Sequence, residues 1–371
     1  MKIFAFFRNT PINILLFAVP FAILVKFLGW GEIWVFILSS LSIVPMAGFI
    51  GQSTEALAEY TGPRLGGLLN ATLGNAAELI ITVVAIREGL LELVKASITG
   101  SILGNILLVM GMAMFLGGLR NGIQRFDRQH AGRNAILLML AVIALLIPSM
   151  LSSSIGPNSS QKVEALSLGV ALVMIALYAL GILYSLKVQA GPLAARTSTD
   201  MQAEIHRSEG SVPGPHPSWS VRNALIMLAV STIAVAYLSE LLVGAVEPVV
   251  KGLGVSEFFL GVILIPIVGN VAEHLVSVKV ALENQMDLSV EIAIASSLQI
   301  ALFVAPVLVF ASLLLGNPLQ LIFNQFELLA LVVGVLIAAV VSADGESNWL
   351  EGAELLAVYM ILGLAFFLLP V

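Results

Sequence analysis

The chain is a series of long apolar stretches separated by short polar connections. A helix of about 20 apolar residues crosses the hydrocarbon core of a bilayer, and eleven stretches have this character. They predict membrane-spanning helices at residues 12–29, 33–59, 65–86, 96–118, 133–151, 164–186, 221–244, 257–281, 289–313, 319–342 and 349–369. The one long polar segment, residues 187–219, is rich in proline, serine and charge. It separates five helices from five once the first span is set aside.

The composition indicates a polytopic membrane protein. Of the 371 residues, 59% are hydrophobic and only 11% are charged, and the mean hydropathy is +1.02. The net charge of −6 and the lack of a basic aromatic patch argue against nucleic acid as a partner. The sequence has no cysteine and no zinc-protease, serine-hydrolase or P-loop motif. We therefore predict neither an enzyme nor a bound cofactor, and uphill transport would have to use an ion gradient.

The basic residues predict an orientation in the membrane. With a cytoplasmic N-terminus and alternating spans, twelve of the 17 lysines and arginines fall on the cytoplasmic side. The other five are Lys26, Arg87, Lys95, Lys162 and Lys251. Because basic residues concentrate in cytoplasmic loops, the N-terminus is predicted inside and the C-terminus outside. Short loops favour a prokaryotic cytoplasmic membrane, and a homo-oligomer is left open.

A repeat relates the two halves of the chain. Five positions recur at one offset of 195 residues: Gly66, Gly74, Asn75, Glu78 and Ser101 return as Gly261, Gly269, Asn270, Glu273 and Ser296. Five predicted spans separate equivalent points, so the two copies cross the membrane in opposite directions. This pattern is typical of secondary transporters, which bind their substrate near mid-membrane between the repeats.

The predicted fold is accordingly an all-α membrane protein of eleven transmembrane helices. An extra N-terminal helix occupies residues 1–30, and the first five-helix repeat covers 31–186. A cytoplasmic linker follows at 187–219, and the second five-helix repeat covers 220–371.

Glu78 and Glu273 are the main candidates for function, since each lies within an apolar span. A carboxylate at the bilayer centre costs about 2.5–3.5 kcal/mol even on the mildest scale and marks an ion pathway by default. Gly74 and Gly269 are expected to weaken the helix beside each acid and to free backbone carbonyls. Pro266 removes one further helical hydrogen bond and favours a break in the second copy.

Neutral oxygen donors accompany the two acids at helical spacing. The candidates are Asn75, Asn270, Ser101, Asn105, Ser296 and Gln299. Calcium takes about 6–8 oxygen ligands from carboxylates, amides, carbonyls and water, so two carboxylates with these groups suit Ca²⁺. Helix–helix packing is the competing explanation for the serines and amides on the following helices.

The charge of the site indicates a coupling mechanism. Two carboxylates neutralise one divalent cation, and two like charges cannot both stay ionised at low dielectric once the cation leaves. The site is then neutral with one divalent ion or with two protons, which describes an antiport cycle. The neutral residues Asn105 and Gln299 favour protons over sodium as the counter-ion. His274, next to the second acid, and Glu55 and Glu240, near helix ends, are candidates for gating or for the access path.

These motifs resemble those of the cation/proton exchangers in the cation/calcium exchanger superfamily. The matching stretches are residues 54–55, 66–80, 269–274 and 296–301, and the resemblance covers both halves. It implies exchange of cytoplasmic Ca²⁺ for protons by alternating access, with Glu78 and Glu273 carrying either ion. It also implies that the second and seventh helices slide against the rest. The strongly acidic linker segment common in vacuolar members is missing here.

Alternatives remain within and outside this family. The same scaffold could move Mn²⁺ or use Na⁺ as the counter-ion, and a cation channel is the rival of a different class. Ion-coupled transport separates these, because a channel conducts without a counter-ion.

Overall fold

The structure, a computed structural model, describes residues 11–156, 160–188 and 219–369. Within them the chain forms eleven helical segments and one very short pair of strands. The helices are α1 (Ile12–Leu28, its first turns 3-10), α2 (Glu32–Leu73), α3 (Ala76–Arg87), α4 (Leu91–Asn121), α5 (Arg128–Ile155), α6 (Gln161–Val188), α7 (Val221–Leu253), α8 (Glu257–Leu282), α9 (Met286–Leu314), α10 (Gln325–Val341) and α11 (Trp349–Phe367). The strands are β1 (Gln124–Arg125) and β2 (Glu346–Ser347), which pair antiparallel.

The prediction of an all-helical membrane protein is confirmed. Eight of the described helices contain windows long and apolar enough to cross a bilayer, α1 and α10 are shorter apolar helices, and α3 has only 12 residues. The predicted boundaries agree with the observed ones within a few residues, apart from those of α2, α3 and α10 and the end of α7, which is predicted at residue 244 and lies at Leu253. Most of the predicted linker at 187–219 and the first ten residues lie outside the described residues.

The third predicted helix, residues 65–86, is wrong in its start. Helical structure runs without interruption from α2 through Leu73, stops at Gly74 and Asn75, and resumes as α3. A Cβ on Gly66 would lie 2.9 Å from the Cβ of Ala58, whereas eight residues of straight helix span about 12 Å. The helix therefore bends sharply between these two residues, where proline at position 63 removes a helical hydrogen bond. The predicted loop between the second and third helices is therefore a bend within α2. The helix is interrupted instead at Gly74 and Asn75, beside Glu78.

The second copy behaves differently from the first, and the predicted break at Pro266 is wrong. The α-helix runs continuously from Ile265 to Leu282, through Gly269. A π-helical turn at Leu260–Leu264 immediately precedes it. Pro266 therefore lies in the first turn of the regular helix, just after the wider π-helical turn. The lack of a backbone N–H at this position costs little stability, because the first N–H groups of a helix have no partner within the helix. The two copies of the motif thus have different backbone geometry.

The tenth predicted helix, 319–342, is also too long at its start. Residues 317–324 are non-helical, and α10 begins after Asn324, whose side chain accepts from the backbone N–H of Glu327. The Glu327 carboxylate in turn accepts from the backbone N–H of Asn324, at 2.7 Å. This capping box fixes the helix start, so the apolar residues before it form a loop.

Helices α4 and α9 form the buried centre of the molecule, with the largest buried fractions among the spans. Each carries a π-helical turn, at Gly104–Val109 and Ile300–Val304. The two turns lie at corresponding places in the 195-residue repeat. Such turns are common at functional sites because they widen a helix locally and re-aim its side chains.

Helices α4 and α11 approach backbone to backbone. A Cβ on Gly111 would lie 3.2 Å from the Gly352 carbonyl oxygen, and one on Gly352 would lie 2.7 Å from that of Gly111. A Cβ on Gly118 would meet the backbone between Asn348 and Trp349. The last helix of the chain therefore packs directly on the fourth.

Polar contacts tie the connections together at each end of the bundle. At one end Arg125 pairs with Glu346 at 3.1 Å, and the Gln124 side chain donates to Asn284 at 3.0 Å. At the other end Asn317 donates to the Ile86 carbonyl at 2.9 Å, Lys95 to the Ile322 carbonyl at 2.9 Å, and Arg87 pairs with Glu240 at 3.0 Å. Each contact joins segments that lie on the same side of the membrane in the topology predicted from the lysine and arginine distribution.

Gly100 provides a test of the packing between α4 and α8. A Cβ there would collide with the backbone of Val262 in the π-helical turn, which has no flexible atom to give way. We expect Gly100→Ala to destabilise the protein by about 1–3 kcal/mol through overpacking, measured as a lower thermal midpoint in detergent. Gly132→Ala is the control, since a Cβ there meets nothing within 4 Å; an equal loss in both variants would contradict this account.

Candidate cation site

Each half of the chain presents one glutamate to one serine on the following helix. Ser101 on α4 donates to Oε1 of Glu78 on α3, and Ser296 on α9 donates to Oε2 of Glu273 on α8 at 2.8 Å. In both pairs the partners are 23 residues apart. The repeat detected in the sequence is therefore also a repeat of contacts.

Amide side chains connect the two pairs across the halves. Asn75 donates to the Gln299 side chain at 2.7 Å, and Asn105 donates to Ser296 at 3.0 Å. Asn270 donates to Ser101 at 3.5 Å, which is a long hydrogen bond. Every one of these contacts joins the first half to the second. They form three separate hydrogen-bonded groups, Glu78–Ser101–Asn270, Glu273–Ser296–Asn105 and Asn75–Gln299, which lie side by side and are together called the network below.

The two glycines beside the acids face the acid of the opposite half. The Cβ position of Gly74 lies 3.6 Å from Oε1 of Glu273, and that of Gly269 lies 3.6 Å from the Cβ of Glu78. A larger residue at either position would occupy the space next to a carboxylate. The glycines thus allow α8 to approach the break between α2 and α3 closely.

The first half of the site contains buried acceptors without donors. Glu78 and Asn75 are each 2% exposed. Oε2 of Glu78 and Oδ1 of Asn75 have no hydrogen-bond partner, and no other oxygens of these ten candidate residues have this status. Glu273 is only partly buried. An unpartnered buried acceptor is unfavourable. Both of these oxygens suit a hard cation, and the Glu78 carboxylate can instead take a proton.

The site therefore combines two carboxylates with hydroxyl and amide oxygens in one network, in which Glu78 is buried and Glu273 is partly buried. Among the described residues no cluster of three or more acidic, histidine or cysteine side chains forms an alternative metal centre. All ten predicted residues lie at or next to this network. Oxygen donors of this kind and number are the ligands that Ca²⁺ prefers.

Comparison with known proteins agrees with this geometry. A family model described as sodium/calcium exchanger protein matches residues 31–187 and 223–368. The Ca²⁺/H⁺ antiporter of Aphanothece halophytica is 46% identical over 98% of this chain and 98% of its own length. The Ca²⁺/H⁺ antiporter ChaA of Bacillus subtilis (strain 168) is 42% identical over 95% of this chain and 97% of its own. The crystal structure of the selenium-substituted Ca²⁺/H⁺ antiporter protein YfkE has 40% identity and a TM-score of 0.79, covering 96% of this chain and 99% of that one.

The chain belongs to the cation/proton exchanger family of the sodium/calcium exchanger superfamily. The resemblance inferred from the motifs is thereby confirmed. Members of this family are transporters and not enzymes, and the similarity extends over nearly the whole chain.

The remaining predicted residues of this exchanger lie around the network or away from it. His274 is partly buried on α8, directly after Glu273, and Glu55 is partly buried on α2. Glu240, predicted near an access path, is bound to Arg87 at the end of α3, with 46% of its side chain exposed. An exposed ion pair of this kind contributes little stability.

Sequence reasoning missed two buried polar features of the exchanger. Glu327 on α10 is 1% exposed, but the capping box with Asn324 and a long contact of 3.4 Å to Thr99 account for its carboxylate. A hydroxyl pair between Ser277 and Ser289 is fully buried. The capping motif was readable in the sequence, whereas the hydroxyl pair depends on how α8 and α9 align.

A cavity of about 260 Å³ with a mixed polar and apolar lining lies away from the two glutamates, where α5 and α9 begin. His130 there pairs with Glu291 at 3.5 Å. The Asp127 carboxylate accepts from the backbone N–H groups of His130 and Gln129, and these bonds lower the pKa of Asp127. The contacts of the Asp127 carboxylate are those of a helix N-cap.

The two serine–glutamate bonds can be tested separately. Ser101→Ala and Ser296→Ala each remove a hydrogen bond to a carboxylate, so we expect a Ca²⁺ KM about tenfold higher. Calcium-dependent transport in membrane vesicles measures the change. Ser97→Ala is the control on the same helix one turn away, because its buried hydroxyl has no partner. An unchanged KM in both site variants would remove these serines from the site.

Proposed function

We propose that the exchanger moves Ca²⁺ out of the cytoplasm in exchange for protons, using Glu78 and Glu273 as the shared binding groups. Curated relatives at 46% and 42% identity are named as Ca²⁺/H⁺ antiporters, with nearly complete coverage of both chains. Asn75, Asn270 and Gln299 supply amide oxygens, and Ser101 and Ser296 supply hydroxyls. Both ions are substrates of the protein.

The observation that carries this proposal is the pair of unpartnered oxygens, Glu78 Oε2 and Asn75 Oδ1. They are three residues apart at the start of α3, so they lie on one side of the helix. A proton neutralises the Glu78 carboxylate and makes it an O–H donor, and a Ca²⁺ ion can coordinate both oxygens at once. Either ligand removes the cost of leaving the group bare in the protein interior.

Charge balance then couples the two ions. One Ca²⁺ neutralises two carboxylates, and two protons do the same. The form with neither ligand carries two charges within one network and is penalised by low dielectric. Exchange is favoured because only the two neutral forms can cross between the access states.

Support for alternating access comes from the difference between the two halves. Helical structure breaks at Gly74 and Asn75 in the first half but continues through Gly269 and Asn270 in the second. We infer that the halves are inverted repeats in unlike conformations, an arrangement that secondary transporters use to open one side at a time. On this proposal α2 and α7, which pack along each other, slide against the remaining helices.

The proposed orientation has the N-terminus in the cytoplasm and the C-terminus outside. The polar contacts at the two ends of the bundle agree with the alternation of the spans, and the excess of lysine and arginine on one side assigns that side to the cytoplasm. Bacterial relatives favour the plasma membrane as the location. Calcium would then leave the cytoplasm while protons enter.

Transport by purified protein in proteoliposomes tests the ion coupling. With sodium absent and a pH gradient imposed, we expect Ca²⁺ uptake that stops when a protonophore removes the gradient. Mn²⁺ is included as a competitor at fixed gradient to rank the cations. Calcium uptake that required sodium and ignored the pH gradient would instead identify a Na⁺/Ca²⁺ exchanger, and uptake without any counter-ion would identify a channel.

Substitution of the acids tests the shared site. Glu78→Gln and Glu273→Gln each leave one charge to balance a divalent ion, so we expect exchange to fall below detection while the protein remains folded. Glu327→Gln is the matched control: it alters another buried intramembrane carboxylate but preserves the capping box, and exchange should persist. Size-exclusion profiles of all three variants establish folding. Exchange by either site variant would exclude a two-carboxylate mechanism.

A further inference from the structure

Two serine hydroxyls form an isolated polar contact between α8 and α9. The Oγ atoms of Ser277 and Ser289 are 2.8 Å apart, and the Ser277 hydroxyl also lies 3.3 Å from the Ser289 carbonyl oxygen. Both residues are completely buried. Val280 and Leu288, close to the two serines in sequence, form a small apolar cluster.

The hydroxyl pair lies on the same seam as the second acid. Ser277 is four residues after Glu273 on α8, and Ser289 is seven residues before Ser296 on α9. These spacings put each pair of residues on one helix face. The antiparallel hairpin is therefore held at two levels: Glu273 with Ser296 at 2.8 Å, and Ser277 with Ser289 at 2.8 Å.

The first half lacks this second level. The residues 195 positions earlier are Thr82 and Val94. The Thr82 hydroxyl donates to the carbonyls of Glu78 and Leu79 in its own helix, at 2.8 and 3.0 Å, and valine at 94 offers no hydroxyl. Only the Ser101 contact fixes Glu78 to the next helix at the corresponding place.

The difference matches the state of the two acids. The unpartnered oxygens lie in the first half, on Asn75 and Glu78, beside the helix break. The second half has a continuous helix and the double tie. Glu273 is thus held against α9, whereas Glu78 needs a ligand to complete its contacts.

We propose that Ser277 and Ser289 are positioning residues that hold Glu273 in calcium-binding geometry on α9. Neither serine touches the ion. The pair fixes the axial position of α8 against α9. The Glu273 carboxylate is therefore already beside Ser296, in the geometry that binds the ion, before the ion arrives. Preorganised ligands bind more tightly because less freedom is lost on binding. This inference rests on the proposed function, since it assumes that Glu273 binds Ca²⁺.

Vesicle transport of Ser277→Ala and Ser289→Ala tests the proposal. Loss of the pair is expected to raise the KM for Ca²⁺ about three- to tenfold, with the maximal rate changed less than twofold. Because both variants remove the same bond, the double variant should have a KM no higher than the single ones. Thr82→Val is the matched control, since its hydroxyl bonds only within its own helix, and its KM should stay within twofold of wild type.

The outcomes separate this inference from the proposed function. A wild-type protein without Ca²⁺/H⁺ exchange would end the proposed function itself. Working wild-type exchange with an unchanged KM in both alanine variants would overturn the positioning role alone, even if their thermal midpoints fall. Additive increases in the double variant would also overturn it. If Ser277→Ala does not fold, Ser289→Ala removes the same contact from α9 and decides the question.

Discussion

The proposed function requires two carboxylates to be kept neutral inside a membrane. Glu78 is buried and Glu273 is partly buried inside membrane-spanning helices, and a serine on the next helix replaces part of the hydration of each carboxylate. On the proposed function a transported ion replaces the rest. This requirement explains why polar side chains of both halves converge on one network. It also explains why glycines flank the acids, since bulkier residues would keep the helices apart.

The two halves fulfil this requirement in unequal ways. In the first half a helix stops beside the acid and leaves oxygens without donors. In the second half an uninterrupted helix follows a π-helical turn, and its acid is tied to the next helix. Near-identical sequence motifs have therefore adopted different backbone geometry because their surroundings differ. A transporter needs such inequality, since perfect symmetry would present the site equally to both sides.

The sequence predicted most of the fold and the composition of the site. The lengths of the apolar stretches located the helices. The constant offset of 195 residues singled out Glu78, Ser101, Glu273 and Ser296 as candidates before any geometry was known. Local sequence could not predict where helices break, because the same Gly-Asn pair interrupts one helix and continues in the other. The partners of Asn75 and Asn105 depend on how the halves align, as does the contact of Ser277 with Ser289. No pattern within a single helix reports such alignment.

The glycine contact between α4 and α11 has a consequence for biosynthesis. The face of α4 that carries Gly111 and Gly118 is completed only by the helix containing Gly352, which is translated more than 200 residues later. A ribosome inserting this chain leaves that face against lipid, or against a membrane chaperone, until the final helix arrives. The packing of this face of α4 is consequently completed only after α11 has been translated and inserted.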